Sequence, residues 1–398
     1  MNVYAVVTPF VLLLIAAEVI FCLKRKNGYY EFQDSIASMG TAVMNQCVNV
    51  VVAMAWLPVL AWLYAHKLFT FEPGVASSLA LFFGVDFLFY WFHRFGHRTN
   101  IGWAAHAPHH STEELNYAVA LRASVTQRFA SFFFYWPLAL LGFEPMAVVS
   151  MVAFHLVLQL IPHTRVVPKL PRFIESWMNT PSHHRVHHAR NPQYLDKNYG
   201  GFLIIWDKLF GSFEPEGEAP EYGITTPPNT WDPNVINFML WRQLFKDAWN
   251  APKKIDALKV WFKQTGWRPE GLPAWPKRET SVKFRSTPLP GSTAYLFFAV
   301  VMVIPHMLLV TRHDSPLTGV EKIMLSLLLW AGATAWGGIL ESKRWAPWLE
   351  GARLVGTAAL LASFSVWAAA ACIAAAVWAV VMPHGRALAA PEAAARSR

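Results

Sequence analysis

The sequence predicts an all-α membrane protein, a bundle of several transmembrane helices. Apolar residues make up 54% of the 398 residues and charged residues only 15%, whereas soluble domains carry roughly a quarter charged residues. The apolar residues fall in runs long enough to cross a bilayer. The chain also has 19 Trp and 28 Phe, which are typical of lipid-facing and interfacial positions.

The net charge of +9 indicates a basic membrane protein that faces anionic headgroups. There is no dense Lys/Arg tract, so we expect no nucleic-acid partner. The three cysteines, Cys22, Cys47 and Cys372, lie in or beside apolar runs. Their number and position predict neither a disulfide framework nor a zinc site, and we interpret them as small buried residues.

The first apolar run, residues 3–22, is followed by Lys24, Arg25 and Lys26 and is preceded by no basic residue. This pattern favours a membrane span over a signal peptide. The positive-inside rule then places the 24–40 loop in the cytoplasm.

Two further spans are predicted before the first histidines. The run at 41–65 returns outward, and the run at 76–92 comes back and ends at His93 on the cytoplasmic face.

The apolar stretch at 129–162 is predicted to be a membrane hairpin, divided at Pro137 and at the GFEP turn of residues 142–145. The mixed, proline-rich stretch at 164–290 is interpreted as a cytoplasmic portion. Within it, residues 252–263 predict an amphipathic helix. Its apolar face consists of Ile255, Leu258 and Phe262. That face fits the membrane surface and packing onto the polar portion equally well.

Spans resume at 293–311 and 320–340, and the run at 354–382 fits either one tilted span or two short ones. The predicted organisation has four parts: N-terminal transmembrane helices at 1–75, a catalytic domain at 76–290, C-terminal transmembrane helices at 291–383 and a disordered tail at 384–398.

Eleven of the 15 histidines lie between residues 93 and 188. Three groups repeat offsets of three or four residues, which bring side chains to one face of a helix. The groups are His93 and His97; His106, His109 and His110; and His184, His187 and His188. Eight imidazoles are too many for one tetrahedral zinc and suit two metal ions, although imidazole binds iron, zinc and copper alike.

Each group lies near the predicted cytoplasmic end of an apolar segment. A metal site at a membrane face, open to acyl chains on one side and to a reductant on the other, fits oxidative lipid chemistry. The His-Glu-x-x-His pattern of zinc proteases is absent.

The three motifs, HRFGH (93–97), HAPHH (106–110) and HRVHH (184–188), resemble the histidine boxes of the fatty acid hydroxylase and sterol desaturase superfamily. Residues 86–124 and 179–216 look like its alkylglycerol monooxygenase branch, and the resemblance covers roughly residues 40–245.

The resemblance implies a cytoplasm-facing di-iron site that activates O2 and hydroxylates a lipid C–H bond, with an external electron donor that is a protein or a pterin such as tetrahydrobiopterin. It implies that the eight box histidines are catalytic iron ligands. His163, between the second and third boxes, and His183 are added as metal ligands by the same resemblance.

Other polar residues are candidates for supporting roles. Asp86 lies two helical turns before His93 and needs a partner inside a span. It is expected to accept the N–H of a ligand histidine or to bind metal. Four more residues have similar possible roles, or act as caps and turns: Asn116, Asp196, Asn198 and Asp207. For His155, a structural role is favoured.

Three alternatives stay open. A desaturase, or a sterol, sphingolipid or fatty acid hydroxylase, would use the same ligands. A metal transporter or sensor would instead place ionisable residues across several spans, whereas these histidines cluster at one face. A catalytically inactive scaffold would be expected to have lost ligands. A bacterial inner membrane fits the short loops better than the endoplasmic reticulum, which is the alternative.

Overall fold

A computed structural model describes residues 3–274, 282–312 and 314–384. These residues form α-helices and no strand; two isolated β-bridges join Met178 to Leu203 and Ala189 to Tyr222. The all-α expectation is therefore confirmed. Nearly all of the expected tail, from residue 385 onward, lies outside the described residues.

The helices that precede the polar portion are α1 Val3–Arg25, α2 Phe32–Ala65, α3 Val75–Arg98, α4 Asn100–His110, α5 Gln127–Leu141 and α6 Pro145–Leu160. The polar portion contains α7 Arg172–Glu175, α8 Pro181–His187, α9 Ile205–Leu209, α10 Pro233–Trp249 and α11 Lys254–Phe262. The C-terminal helices are α12 Ser292–Thr311, α13 Gly319–Leu340, α14 Ala346–Leu361 and α15 Val366–Val381.

By length and composition, three of the described helices can cross a membrane: α3, α12 and α13. The two segments of α2, which meet at a bend of 42°, would make a fourth span if they are counted together. Several apolar helices thus agree with a multi-pass membrane protein. The run at 354–382 contains the second half of α14 and the whole of α15, and is therefore not one tilted span.

The hairpin of α5 and α6 turns at the GFEP sequence. Pro137 lies inside α5 and does not divide it, contrary to expectation. Instead α5 ends at Leu141 and is followed by Gly142, whose φ of 122° is favourable for glycine. A Cβ there would lie 2.1 Å from the Phe69 carbonyl oxygen. The Glu144 carboxylate then caps α6 by accepting the Ala147 N–H at 2.7 Å.

Helix α11 forms where the amphipathic pattern predicts it. Its Val260 is fully buried in an apolar cluster with α4 and α10. The expected apolar face of Ile255, Leu258 and Phe262 points away from this cluster and is exposed. The helix therefore packs onto the polar portion through the opposite face.

A buried charge pair lies within the C-terminal helices. Glu350 is fully buried and pairs with Arg353 one turn later on α14. Its carboxylate also accepts the Tyr295 hydroxyl at 2.6 Å and the Trp336 indole N–H at 3.3 Å. One carboxylate thus joins α12, α13 and α14.

We expect Glu350→Ala to lower the free energy of unfolding by about 3–5 kcal/mol, because the Arg353 charge would stay buried without its partner. Chemical unfolding in detergent micelles measures the change. The double variant Glu350→Leu/Arg353→Met is the matched control, since replacing both charges with apolar groups costs far less. Equal losses in the two variants would contradict this explanation.

Candidate metal centre and cavity

The three histidine motifs lie at helix ends that meet. His93 and His97 occupy the last turns of α3, and the second motif ends α4. Between these helices the chain turns at Thr99, which is extended and whose hydroxyl caps α4 by accepting the Gly102 N–H at 3.2 Å. The third motif lies at the end of α8, with His188 just after its last residue; α8 begins at Pro181, a residue suited to a first helical turn.

The histidines form two groups that could each hold a metal ion, with ligand nitrogens of each group within 4.8 Å of one another. The first group contains His93, His97, His106, His110 and His187, all buried. The second contains His109, His163, His184 and His188, of which His109 is half-buried and the others are buried. All three motifs contribute, and the second and third contribute to both groups.

Hydrogen bonds to backbone carbonyls fix the protons of four of these imidazoles on their outer nitrogens. Nδ1 of His93 donates to the Tyr199 oxygen and Nδ1 of His187 to the Lys197 oxygen, at 2.8 and 3.0 Å. In the second group, Nδ1 of His109 and of His163 donate to backbone oxygens of Arg122 and Gln159, both at 2.8 Å. A carbonyl only accepts, so in each neutral ring Nε2 carries a free lone pair.

In the second group, two of the free nitrogens face each other with no proton between them. Nε2 of His109 lies 3.2 Å from Nε2 of His163, and each of these nitrogens carries a lone pair. In the first group, Nε2 of His93 lies 2.9 Å from Nε2 of His106. Two nitrogens bound at right angles to one ion by bonds of about 2.1 Å are about 3 Å apart. The donor set therefore fits a cation in each group.

Burial keeps these rings neutral. Loss of hydration lowers the pKa of His187 to about 3 and that of His109 to about 4. It also lowers the pKa of His184 and His188 well below the usual value, and neighbouring histidines add to this effect. Neutral imidazole is the form that binds metal, so the groups are ready to bind metal at neutral pH.

His183 is not part of either group. Its Nε2 pairs with Glu175 at 2.9 Å. Glu175 also accepts the Thr180 hydroxyl at 2.8 Å. The sequence-based expectation that His183 is a metal ligand therefore finds no geometric support, whereas the other nine predicted ligands are brought together.

Asp86 has a different partner from the one expected. Its carboxylate lies 2.6 Å from Nε2 of His155, which belongs to neither group. It also accepts the Phe202 backbone N–H and the Trp206 indole N–H, both at 2.8 Å. Gln159 approaches the other nitrogen of His155 at 2.7 Å. Asp86 therefore holds the 202–206 segment against α3 and α6 instead of a ligand histidine.

Asp207 supports the first group through the backbone. It accepts the N–H groups of Tyr199 and Gly200 at 2.7 and 2.6 Å, and so fixes the carbonyl that orients His93. Burial raises the pKa of this carboxyl to about 6. The three other candidates have structural partners. Asn116 binds the Tyr29 carbonyl, Asp196 pairs with Arg98, and Asn198 binds the His183 carbonyl.

A cavity of about 390 Å³ ends at the histidines. Its walls come mainly from apolar side chains of α1, α2, α6 and α12, such as Val43, Ala153 and Met307. Histidines of both groups face it: His93, His106, His109, His163 and His184. An apolar cavity that also exposes metal-binding nitrogens suits a hydrocarbon chain.

Sequence reasoning missed the residues that act through their backbone. The carbonyls of Arg122, Gln159, Lys197 and Tyr199 orient four imidazoles, and no side-chain pattern marks them. The walls of the cavity also escaped it, because lipid-facing and cavity-facing residues have the same composition. Glu175, the partner of His183, was also missed; it lies five residues before Thr180, the residue that precedes α8.

Comparisons with known proteins agree with this site. The fatty acid hydroxylase family model matches residues 78–212, the stretch that contains all nine clustered histidines. Alkylglycerol monooxygenases of Danio rerio and Homo sapiens are 38% and 39% identical over 66% of this chain, and the match spans 59% of their own length. That of Xenopus tropicalis is 34% identical over 86% of this chain and 78% of its own length. No solved structure matches. The chain therefore belongs to the fatty acid hydroxylase family and is similar to its alkylglycerol monooxygenases.

Proposed function

We propose that this protein is a di-iron, O2-dependent membrane monooxygenase that hydroxylates a lipid C–H bond. The observation that carries the proposal is the pair of all-histidine groups at the end of an apolar cavity. The alkylglycerol monooxygenases among its relatives favour an ether lipid as the substrate.

The nine clustered histidines would hold the metal, five on one ion and four on the other. Iron bound there would supply oxygen activation and the redox chemistry of C–H hydroxylation. Overall, one lipid C–H bond, O2, two electrons and two protons would yield an alcohol and water, and an external donor would provide the electrons. We propose tetrahydrobiopterin as the electron donor, because the family resemblance implies a pterin.

The residues of the chain have three tasks in this proposal. The apolar walls of α1, α2, α6 and α12 would hold the alkyl chain and exclude water. The backbone carbonyls of Tyr199 and Arg122 would keep His93 and His109 oriented. The cavity would direct the carbon beside the ether oxygen toward the metals. Hydroxylation at that carbon gives a hemiacetal, which collapses to an aldehyde and a glycerol lipid.

We further propose that the metal centre faces the cytoplasm. Lys24 and Arg25 end α1, and the linker between α13 and α14 carries Lys343 and Arg344. Basic residues at helix ends favour the cytoplasmic side.

The first test measures metal and products together. The protein, purified in detergent after expression with added iron, should contain about one iron per histidine group, and each of His187→Ala and His109→Ala should lose metal. Supplied with a 1-O-alkylglycerol, O2 and tetrahydrobiopterin, it should release a fatty aldehyde. Each ligand variant should lose more than about 100-fold of this activity. Zinc in place of iron, or a sterol oxidised while the ether is untouched, would contradict the proposal.

Neighbouring histidines on α8 provide a matched pair for the ligand assignment. His184→Ala should lower metal content, because its Nε2 lies 2.9 Å from that of His163 in the second group. His183→Gln should keep the metal, because His183 pairs with Glu175. Elemental analysis of the metal content of both variants decides which of the two histidines is a ligand. Metal loss in His183→Gln with an unchanged unfolding temperature would show that His183 is a ligand.

The cavity can be narrowed without touching the metal. Ala153→Phe places a ring in the apolar wall and should lower turnover of a long alkyl ether by at least about 10-fold, since the chain would be displaced from the metals. A short-chain ether should be less affected. The adjacent Phe154 is exposed on the outside of α6, so Phe154→Ala serves as the control. Equal losses for both chain lengths would argue that the substrate does not enter this cavity.

A further inference from the structure

Helix α11 presents an apolar face that no described part of the chain covers. Ile255, Leu258 and Phe262 are 54%, 64% and 68% exposed. They are spaced at i, i+3 and i+7, which places them on one face. Since Val260 anchors the opposite face in the cluster with α4 and α10, the exposed face is held rigidly outward.

Helix α10 continues the same surface. Phe245 and Trp249 are 63% and 90% exposed, and the Phe245 ring lies 4.9 Å from that of Trp261 on α11. At its other end, α10 reaches α13, where the Phe238 ring stacks on Trp330. The apolar surface therefore extends from a helix long enough to span the membrane to the tip of α11. We call it the α10–α11 surface.

The contacts between α11 and the end of α3 indicate how deep α11 lies relative to the membrane. The Asn100 N–H, just beyond the end of α3, donates to the Lys263 carbonyl at 3.0 Å, and the Asn100 amide donates to the Val260 carbonyl at 2.8 Å. The Thr265 hydroxyl donates to the His97 carbonyl. Because α3 is long and apolar enough to cross the membrane, its polar end marks the boundary of the hydrocarbon region. Helix α11 lies at that boundary.

The charges around the surface match lipid headgroups. Residues 242–263 carry six cationic side chains and two acidic ones. The five lysines of this segment are exposed: Lys246, Lys253, Lys254, Lys259 and Lys263. Asp247 is buried and pairs with Arg268. A second copy of this chain would bring like charges together across a two-fold interface, whereas an anionic bilayer attracts them.

We propose that the α10–α11 surface is a membrane-surface anchor. Its apolar face lies among the outer acyl carbons of the lipid and its lysines contact anionic headgroups. Through Thr265 and Asn100 the anchor is joined to the end of α3 that carries His93 and His97. The proposal adds a contact with lipid beyond the spanning helices, and it requires no assumption about metal or substrate.

The test places a fluorophore on Leu258→Cys in the full chain, reconstituted in nanodiscs of zwitterionic and anionic phospholipid. The three native cysteines are buried, and the unsubstituted chain serves as the labelling blank. Lipids with a quencher on a shallow acyl carbon should quench the label strongly, and aqueous iodide should quench it weakly. Glu218→Cys, on an exposed polar loop, is the matched control and should show the reverse pattern.

Two additions complete the experiment. Phe262→Cys should repeat the result of Leu258→Cys from the same face. Lys253→Glu/Lys254→Glu should reduce quenching by the lipid, and raising the anionic fraction should increase quenching in the unmodified background. Quenching by iodide instead of lipid would overturn the proposal. Protection from both quenchers would overturn it as well, and energy transfer between labels on two copies would then identify a self-interface.

Discussion

The repulsion between imidazole nitrogens that face each other without a proton is the constraint on which the rest of the structure depends. His109 and His163 each commit their only proton to a backbone carbonyl, and their lone pairs then face each other at 3.2 Å. In a site removed from water, such an arrangement is costly unless a cation lies between the rings. The fold must therefore hold the outer hydrogen bonds firmly, because they oppose a rotation of the rings that would relieve the repulsion.

That requirement explains the position of the carboxylates. Neither group contains a carboxylate ligand, so bound metal charge would not be neutralised by direct ligation. Buried carboxylates lie one step further out. Asp207 binds the backbone that orients His93, Glu175 pairs with His183 beside His184, and Asp86 fixes the segment after Gly201. They stabilise the loops that surround the clustered imidazoles without entering either histidine group.

The apolar runs of the sequence predicted the helical class, and local spacing predicted eight of the nine clustered histidines; the ninth, His163, came only from the family resemblance. The sequence could not divide the nine between two ions, since that depends on how α8 docks against the corner of α3 and α4. Nor could it separate His183 from His184, because adjacent helical residues point about 100° apart and only packing decides which one faces inward. The His155 partner of Asp86 comes from a helix 69 residues away, a contact that no local pattern encodes. Ser365, which caps α15, was a readable sign that the last run breaks.

The apolar cavity requires helices that can move, whereas the histidine groups require helix ends that stay in place. In the proposed function a lipid chain would enter from the bilayer, while the histidine-bearing ends of α3, α4 and α8 would have to stay fixed to within the tolerance of a metal–nitrogen bond. Entry of a chain between α1, α2, α6 and α12 would disturb helices that supply none of the nine clustered side chains. The nearest of the nine in the sequence is His163, which follows α6. His163 is also the histidine whose outer bond is made within its own segment, to the Gln159 carbonyl four residues earlier. Movement of α6 would therefore carry the ring and its orienting carbonyl together, so the cavity can open without changing the tautomer of the ligand.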